Sequence, residues 1–401
     1  MDWCRITVFP WPPQAHLRSG EALPYCPGTS GIGEFLSCCR RQIPRFVLLS
    51  SASLFSLQDQ EVVEMMSYLR RFVYLVVDGK RPRTLDLHRI DMSRFFTQRS
   101  PLIGAAVDAR LPCPQMTFYA PSSEDRSGRL QFLLLDRNKV LDTDQMGQAS
   151  IYDAGLNALR TAPTLSRPKY SPISVAVGQR LYVLDSSRRV VGAGDKEHCF
   201  EALVYGPDGG GYDDWRYSSL PSPPYRPGDI DAYAVVGGSD VWVSSEDEST
   251  YSFDTVRGTW SKQGDWPLSF RGLAEYVPEY KLWFGLSSSE SSNLFCTFNL
   301  AAAARRLSPP VPRNVWEDLC PPKGWLQDTS SLVHLGSGRF CIARFFCDEP
   351  GDADDDPWKM FAILTAVEVW LRGKSGKGLQ MVRHRSKCYS LPDNNLNQWV
   401  L

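Results

Sequence analysis

Residues Gly373–Lys377 read Gly-Lys-Ser-Gly-Lys, which resembles the end of a phosphate-binding loop. Such a loop also needs a glycine five residues before its Gly-Lys pair, so that backbone N–H groups can surround the phosphates. Glu368 occupies that position. We therefore predict a hairpin turn between two strands here, and no nucleotide site.

Four carboxylates lie close together at Asp352, Asp354, Asp355 and Asp356. A calcium loop places carboxylates at alternating positions and uses a glycine for its sharp bend. Pro357 follows the aspartates instead. The run therefore predicts a solvated loop between strands.

The five histidines are His16, His88, His198, His334 and His384. None has a second His or Cys at a metal-ligand spacing such as that of His-Glu-x-x-His. His334 lies in an apolar run, and we expect it to be a hydrogen-bonded core residue. No metal site is predicted.

Signatures of nucleophilic catalysis are also incomplete. The Gly-x-Ser-x-Gly nucleophile elbow does not occur in the sequence. Ser245 and Asp247 begin a turn like the Ser-x-Asp-x-Gly-x-Thr-Trp turn of sialidase-type propellers, but Ser249 and Tyr251 stand where its Gly and Thr belong. No catalytic residue is assigned.

Basic residues alternate along a late predicted strand, at Arg383, His384, Arg385 and Lys387. Such a row of positive charge is compatible with binding of phosphate or of an acidic peptide. The expected arrangement is a solvent-exposed strand face, because charge runs usually mark solvated surfaces. No cofactor-binding residue and no cofactor are predicted.

A recurring phrase predicts the scaffold that would position any site. An aromatic residue ends one strand, a turn follows, and a Trp or Leu comes seven positions later, as in Phe253 with Trp260 and Tyr152 with Leu159. In a β-propeller this phrase joins the third and fourth strands of a blade. We expect its apolar side chains to fill the wedges between neighbouring blades.

The spacing of predicted second strands supports a propeller. These strands centre on Leu181, Val241, Leu282 and Phe340, with steps of 60, 41 and 58 residues. Propeller blades repeat at about 40–50 residues, and loop insertions account for the longer steps. The chain is therefore predicted to be all-β, with about six four-stranded blades.

The first of the six units is incomplete, so another segment must supply a strand. Either Trp399–Leu401 or Phe46–Leu49 has the necessary apolar character. We favour the C-terminal segment, because pairing the first blade with the last closes the ring and removes two exposed edges.

Two regions differ in composition. Residues 1–64 are rich in Pro, Gly, Ser and Cys and are predicted to be a poorly ordered extension, whereas residues 65–401 carry the propeller pattern. The 11 cysteines show no Cys-x-x-Cys pair and are expected to be buried apolar residues in a reducing compartment.

Charge and hydropathy indicate a cytoplasmic or nuclear protein. With 44 basic and 45 acidic residues, the chain gives no reason to expect nucleic acid or a membrane surface as a partner. The longest apolar run, Phe361–Leu371, contains Glu368 and is too short to span a bilayer. The N-terminus lacks the pattern of a signal peptide.

The phrase from Phe253 to Trp260 resembles a Kelch repeat. Residues 72–401 resemble a plant family known as domain of unknown function 1668, which is expanded in grasses and related to Kelch-type and F-box-associated propellers. The matching stretches are Arg70–Val77, Ser174–Asp185, Phe200–Pro207, Phe270–Glu279, Leu332–Gly338 and Val382–Ser386. Two features depart from these families: Leu184-Asp185 and Ser244-Ser245 replace the Kelch double glycine, and residues 1–64 contain no F-box module.

The resemblance implies an interaction protein without a defined role. The leading hypothesis is a non-catalytic, monomeric scaffold that binds another protein through loops around a central channel. One alternative is a propeller enzyme with a site at the channel mouth, which three or more carboxylates and a basic residue converging there would favour. Another is a ubiquitin-ligase substrate adaptor that lacks its own F-box.

Overall fold

The computed structural model describes most of the chain from Arg70 onwards. The described residues are 70–96, 107–121, 130–167, 169, 171–186, 199–207, 212–225, 230–245, 249–288, 293–316, 325–348, 358–371, 378–392, 395 and 397–401. All of them lie within residues 60–401, which form one compact unit. The predicted extension, residues 1–64, lies outside the described residues.

The described residues form six four-stranded blades of a β-propeller. Strands β1 (Phe72–Asp78), β2 (Thr84–Asp91) and β4 (Met116–Tyr119) belong to blade 1, and a 3₁₀ helix (Met92–Phe95) and β3 (Val107–Ala109) lie between β2 and β4. Blade 2 consists of β5 (Gln131–Asp136), β6 (Lys139–Thr143), β7 (Ala149–Asp153) and β8 (Ala158–Ala162). Blade 3 consists of β9 (Ile173–Val177), β10 (Arg180–Leu184), β11 (Phe200–Pro207) and β12 (Asp213–Ser219).

The remaining blades follow the same antiparallel order. Blade 4 consists of β13 (Ile230–Val236), β14 (Asp240–Ser245), β15 (Thr250–Asp254) and β16 (Thr259–Gly264). Blade 5 consists of β17 (Phe270–Val277), β18 (Leu282–Ser287), β19 (Phe295–Phe298) and β20 (Arg313–Trp316), with helix α1 (Leu300–Arg306) before β20. Blade 6 consists of β21 (Trp325–Gly336), β22 (Arg339–Asp348), β23 (Met360–Leu371) and β24 (Leu379–Ser390), and β3 pairs in parallel with β24.

The ring is closed by the last strand, β25 (Gln398–Val400), which pairs antiparallel with β1 and completes blade 1. Leu75 lies opposite Val400, and the main chains of Tyr74 and Leu401 exchange two hydrogen bonds of 2.9 Å. The prediction of C-terminal closure is confirmed. Without this pairing, β1 and β25 would present unpaired backbone edges at which other chains could associate.

Apolar clusters fill all six interfaces between neighbouring blades. Representative buried pairs, one for each interface from blades 1 and 2 round to blades 6 and 1, are Val76 with Phe132, Leu141 with Leu203, Phe200 with Phe253, Trp242 with Phe270, Phe284 with Phe340, and Phe345 with Leu75. The stability of the ring therefore depends on contacts between blades as well as on pairing within them.

The recurring phrase packs as predicted at its aromatic positions. Phe253 is fully buried, lies opposite Trp260 in the sheet, and contacts Phe200 of blade 3 with ring centroids 4.8 Å apart. Tyr152 is likewise fully buried between blades 1 and 2. Its partner Leu159 was also expected in a wedge, but that expectation is wrong, because β8 is an outer strand and Leu159 is 55% exposed.

Strand β6 and helix α1 were not predicted from the sequence. In β6, Lys139 and Asp142 interrupt the short apolar run. The apolar run of β19 ends at Phe298, because the Asn299 side chain accepts a hydrogen bond of 2.9 Å from the Ala302 N–H and caps a helix rich in alanine.

Four of the six cysteines in the described part are buried, namely Cys199, Cys296, Cys341 and Cys388, and all six are free thiols. Burial raises the pKa of Cys296 and of Cys341 to about 12. Among the residues described, no helix has the length and apolar character needed to cross a membrane.

Candidate functional site: the central channel

The inner strand of blade 5 leaves regular pairing next to the channel. Arg271 lies opposite Leu286 and Glu275 opposite Phe284, so three residues of β17 face the single residue Gly285 of β18. Gly272 in this bulge has a φ of +66°, which an L side chain adopts only with strain. The bulge turns β17 towards its neighbour, and Gly272–Ala274 pair in parallel with β13.

The opposing glycine has a packing reason. A Cβ atom at Gly285 would lie 3.3 Å from the Ala274 Cβ and 3.3 Å from the Phe298 Cε2. The bulge and the absence of a side chain at Gly285 therefore fit together. They fix the segment that carries Arg271 and Glu275.

A cavity of about 480 Å³ lies where the inner strands end. Residues from the innermost strand of every blade line it, including Leu134 of β5, Val175 of β9, Val333 of β21 and, in blade 1, Val400 of β25. Gly178 and Gly238, in the turns that follow β9 and β13, also line it and are exposed. These turns place the opening of the cavity at this end of the channel.

Arg70 brings an incompletely paired guanidinium to the cavity. Its backbone N–H donates to the Leu335 carbonyl at 2.6 Å, and its Nε donates to the Phe72 carbonyl at 2.9 Å. Its Nη2 is buried and has no hydrogen-bond partner among the residues that the structure describes. Burial lowers the pKa of Arg70 to about 10, against the opposing influence of Tyr74 and Glu275, so the group remains charged at neutral pH.

Glu275 and Tyr233 face the same cavity. Burial raises the pKa of Glu275, and the positive charge of Arg70 opposes this shift only in part. Burial, followed by the nearby Glu275, raises the pKa of Tyr233 to about 12. Glu275 therefore holds a proton more readily than an exposed glutamate, and Tyr233 remains a hydrogen-bond donor.

Charged groups of both signs line the cavity. Arg271 is exposed at the cavity and makes no hydrogen bond or ion pair within the part of the chain that the structure describes. The lining side chains in the described part include two guanidinium groups, of Arg70 and Arg271, and one carboxyl group, of Glu275. Leu401, the last residue of the sequence, also lines the cavity and adds its α-carboxylate to the carboxyl group of Glu275.

The chain matches one family model along most of its length. The family is described as "Protein of unknown function (DUF1668)", and the match covers residues 70–389. The chain belongs to the DUF1668 family. No curated protein matches it.

The matched region of this DUF1668 protein begins at Arg70 and extends through all four consecutive strands of blade 6. The family resemblance drawn from the sequence is thereby confirmed. The relation to Kelch-type and F-box-associated propellers and the expansion in grasses stay predictions.

Several motifs with a possible chemistry lie outside the described residues of the DUF1668 protein. They are Gly373–Lys377, the aspartates of 352–356, Asp247, His16 and His198. The strands on either side of Gly373–Lys377 pair antiparallel, with Leu371 opposite Leu379, which agrees with the predicted hairpin. No group of His, Cys, Asp and Glu suited to a metal ion occurs among the described residues.

The expectation for His334 is wrong in one respect. Within the described part of the chain its Nε2 is buried without a hydrogen-bond partner, and its ring stacks on Phe340 at a centroid distance of 4.8 Å. Burial lowers the pKa of His334 to about 4, so the ring is neutral at physiological pH. An aromatic contact thus replaces the expected hydrogen bond.

The prediction of a solvent-exposed strand face at residues 383–387 is also wrong. His384 is buried, with its Nε2 3.1 Å from a carboxylate oxygen of Glu368, and Arg339 donates to the other oxygen at 2.8 Å. Arg383 and Lys387 are half-buried. The alternation of basic residues reflects pairing and packing against blade 1.

The residues that meet in the channel carry no local sequence signature. Arg70 precedes the first strand, and Tyr233 and Glu275 lie on the inner strands of blades 4 and 5. The one signal available was a charged residue, Glu275, inside the apolar stretch Leu273–Val277. That signal marks a buried charge without giving its partner.

Proposed function

We propose that this DUF1668 protein is a non-catalytic scaffold that receives another protein at the open end of its channel. The observation that carries the proposal is the cavity of about 480 Å³, whose lining holds the guanidinium groups of Arg70 and Arg271. Cavities of about 300–1,000 Å³ with a few polar groups on an otherwise apolar wall are typical of binding sites. A segment of a partner protein's chain is small enough to enter this cavity.

The rigidity of the ring supports a scaffold role. Closure by β25 and apolar packing at all six blade interfaces hold the inner strands in place. Binding costs less free energy when the receptor is already ordered. The resemblance to Kelch-type propellers supports the same role.

The enzyme hypothesis receives less support. It requires three or more carboxylates converging with a basic residue, and Glu275 is the single carboxyl side chain in the described lining. The charged groups of Arg70 and Arg271 lie in the same lining. A charged channel without a cluster of carboxylates fits recognition of a ligand better than acid–base catalysis.

A blocked channel tests the proposal. The exposed residue Ala176 lines the cavity, so Ala176→Trp would obstruct it, whereas Leu159→Trp changes the outer strand β8 and is the matched control. The full chain and both variants serve as bait for crosslinking and mass spectrometry in a cell extract. We expect a protein that crosslinks to the wild type and to Leu159→Trp, and that is depleted at least about tenfold with Ala176→Trp.

Equal recovery of the same proteins by the wild type and both variants would contradict the use of the channel end. Recovery of no protein by any bait would contradict the scaffold itself. Circular dichroism of each variant confirms that the ring is folded before the comparison is made.

A further inference from the structure

The guanidinium of Arg70 has an unused pair of donors. Its Nε is bonded to the Phe72 carbonyl, Nη2 is buried without a partner, and Nη1 makes no hydrogen bond within the described residues. Arg70 lines the cavity, and because Nη2 is fully buried, Nη1 is the nitrogen through which a ligand would reach this guanidinium. Glu275 and the Tyr74 ring lie near the group, but neither completes its hydrogen bonds, and a partly bonded buried guanidinium favours an anion that bonds to it.

The other polar groups favour the same kind of ligand. Arg271 lines the cavity with a second unpaired guanidinium, and the Tyr233 hydroxyl is a donor without a hydrogen bond among the described residues. Glu275 offsets one of the two positive charges. A carboxylate accepts hydrogen bonds from both kinds of donor.

The apolar wall of the cavity indicates the chemical character of the rest of the ligand. Leu134, Val175, Leu181, Leu332 and Val400 contribute apolar surface beside the charged groups. An inorganic anion would leave this surface hydrated, whereas an organic acid with an apolar body would cover it. A planar carboxylate also matches the planar fork of an arginine side chain.

We propose that the channel cavity binds an organic carboxylate, which pairs with the Arg70 guanidinium and is assisted by Arg271 and the Tyr233 hydroxyl. The inference rests on the proposed binding function and names the group that the channel recognises. The carboxylate has two possible sources: the C-terminus or an acidic side chain of a protein partner, or a free organic acid. The two sources share the same chemistry at Arg70.

Isothermal titration calorimetry at neutral pH tests the proposal with probes that differ in one group. 4-Methylpentanoate represents a free acid, and N-acetyl-alanyl-leucine with a free C-terminus represents a partner. The amide of each is the neutral control, and inorganic phosphate is the competing anion. We expect each acid to bind at least about tenfold more tightly than its amide, because charge-assisted hydrogen bonds are lost in the amide.

Variants assign the site within the cavity. Arg70→Met should weaken acid binding at least about tenfold, and Arg271→Gln should weaken it by a smaller factor. Glu275→Gln should tighten binding several-fold, because it removes a negative charge from the lining. Arg257→Met, on the exposed turn between β15 and β16, is the matched control and should leave binding unchanged.

Four outcomes would overturn the inference: equal affinity for acid and amide, phosphate binding more tightly than either acid, unchanged affinity in both arginine variants, or no binding at about 10 mM probe. Tighter binding of the peptide acid identifies a protein as the source, and tighter binding of 4-methylpentanoate identifies a small acid. If a partner depends on the open channel but no acid binds, this inference is contradicted and the proposed function is supported. If an acid binds but no partner is captured, this inference is supported and the proposed function is contradicted.

Discussion

The wedge between blades 3 and 4 is filled by aromatic rings, whereas the channel cavity holds charged side chains that lack full pairing. In the wedge, Phe200, Phe253 and Trp260 lie within about 5 Å of one another by ring centroid, and the Trp260 Nε1 donates to the Pro221 carbonyl at 2.8 Å. In the channel, Arg70 has a buried nitrogen without a hydrogen-bond partner in the described part of the chain. The wedges therefore stabilise the ring, while the channel keeps polar groups that favour binding over stability.

The largest effect should come from opening the wedge. Phe253→Ala removes a fully buried ring that touches three neighbours, so we expect a loss of about 3–5 kcal/mol in the free energy of unfolding. Urea denaturation followed by tryptophan fluorescence measures it. Leu159→Ala is the control on the solvent side of blade 2 and should change stability by less than about 0.5 kcal/mol. Similar losses in both variants would contradict the role of the wedge.

A buried ion pair outside the channel contrasts with Arg70, because both of its charges have a partner. Lys169 and Glu201 form an ion pair whose side chains are both fully buried. Glu201→Gln removes the carboxylate charge that Lys169 contacts and should cost about 3 kcal/mol, whereas the double variant Lys169→Met, Glu201→Leu should recover much of that loss. Urea unfolding of the single and double variants measures both changes in the free energy of unfolding. A single variant as stable as the wild type would show that the pair is not the reason these charges tolerate burial.

Asp142 is a buried carboxylate within blade 2 that receives a hydrogen bond from Ser150. Burial raises the pKa of Asp142 to about 6, above that of the unfolded chain. Its contribution to stability is therefore present at low pH and is lost as the pH rises through about 6. Asp142→Asn keeps the acceptor oxygen and should add about 2 kcal/mol of stability at about pH 7.5 and almost none at about pH 4.

Unfolding of wild type and Asp142→Asn at both pH values measures this difference. A variant that is less stable at the higher pH would show that the carboxylate is stabilised by contacts beyond Ser150.

A smaller loss of stability is expected from substitution in the bulge of β17. Gly272 has a positive φ and open space where a Cβ atom would lie, so Gly272→Ala meets conformational strain without a clash. We expect a loss of about 1–2 kcal/mol, and a smaller loss for Gly272→Asn, since asparagine tolerates this conformation better. Thermal unfolding of the two variants ranks them. Equal losses would indicate that backbone conformation does not set the cost.

The sequence predicted the ring better than the site. The proposed strand centres at Leu181, Val241, Leu282 and Phe340 all fall in the second strands of blades 3 to 6, because apolar alternation and turns repeat with each blade. The closing strand was also predicted, since an open edge is unfavourable.

The channel site could not be predicted in the same way. Arg70, Tyr233 and Glu275 are distant in sequence and meet only because the ring closes and β17 bulges towards β13. Local motifs such as Gly373–Lys377 were more visible but did not meet the requirements of their chemistry. Helix α1 was missed because its capping residue, Asn299, follows a strand without a break.

We propose that the Arg70 charge serves binding rather than folding. The direct measurement is the thermal unfolding of wild type and Arg70→Met, each with and without 4-methylpentanoate, because a ligand that binds the folded state raises the unfolding temperature. We predict that Arg70→Met without ligand is at least as stable as the wild type, since a buried unpartnered nitrogen is removed, and that the ligand raises the unfolding temperature of the wild type alone. An Arg70→Met protein that is clearly less stable and still responds to the ligand would contradict the account.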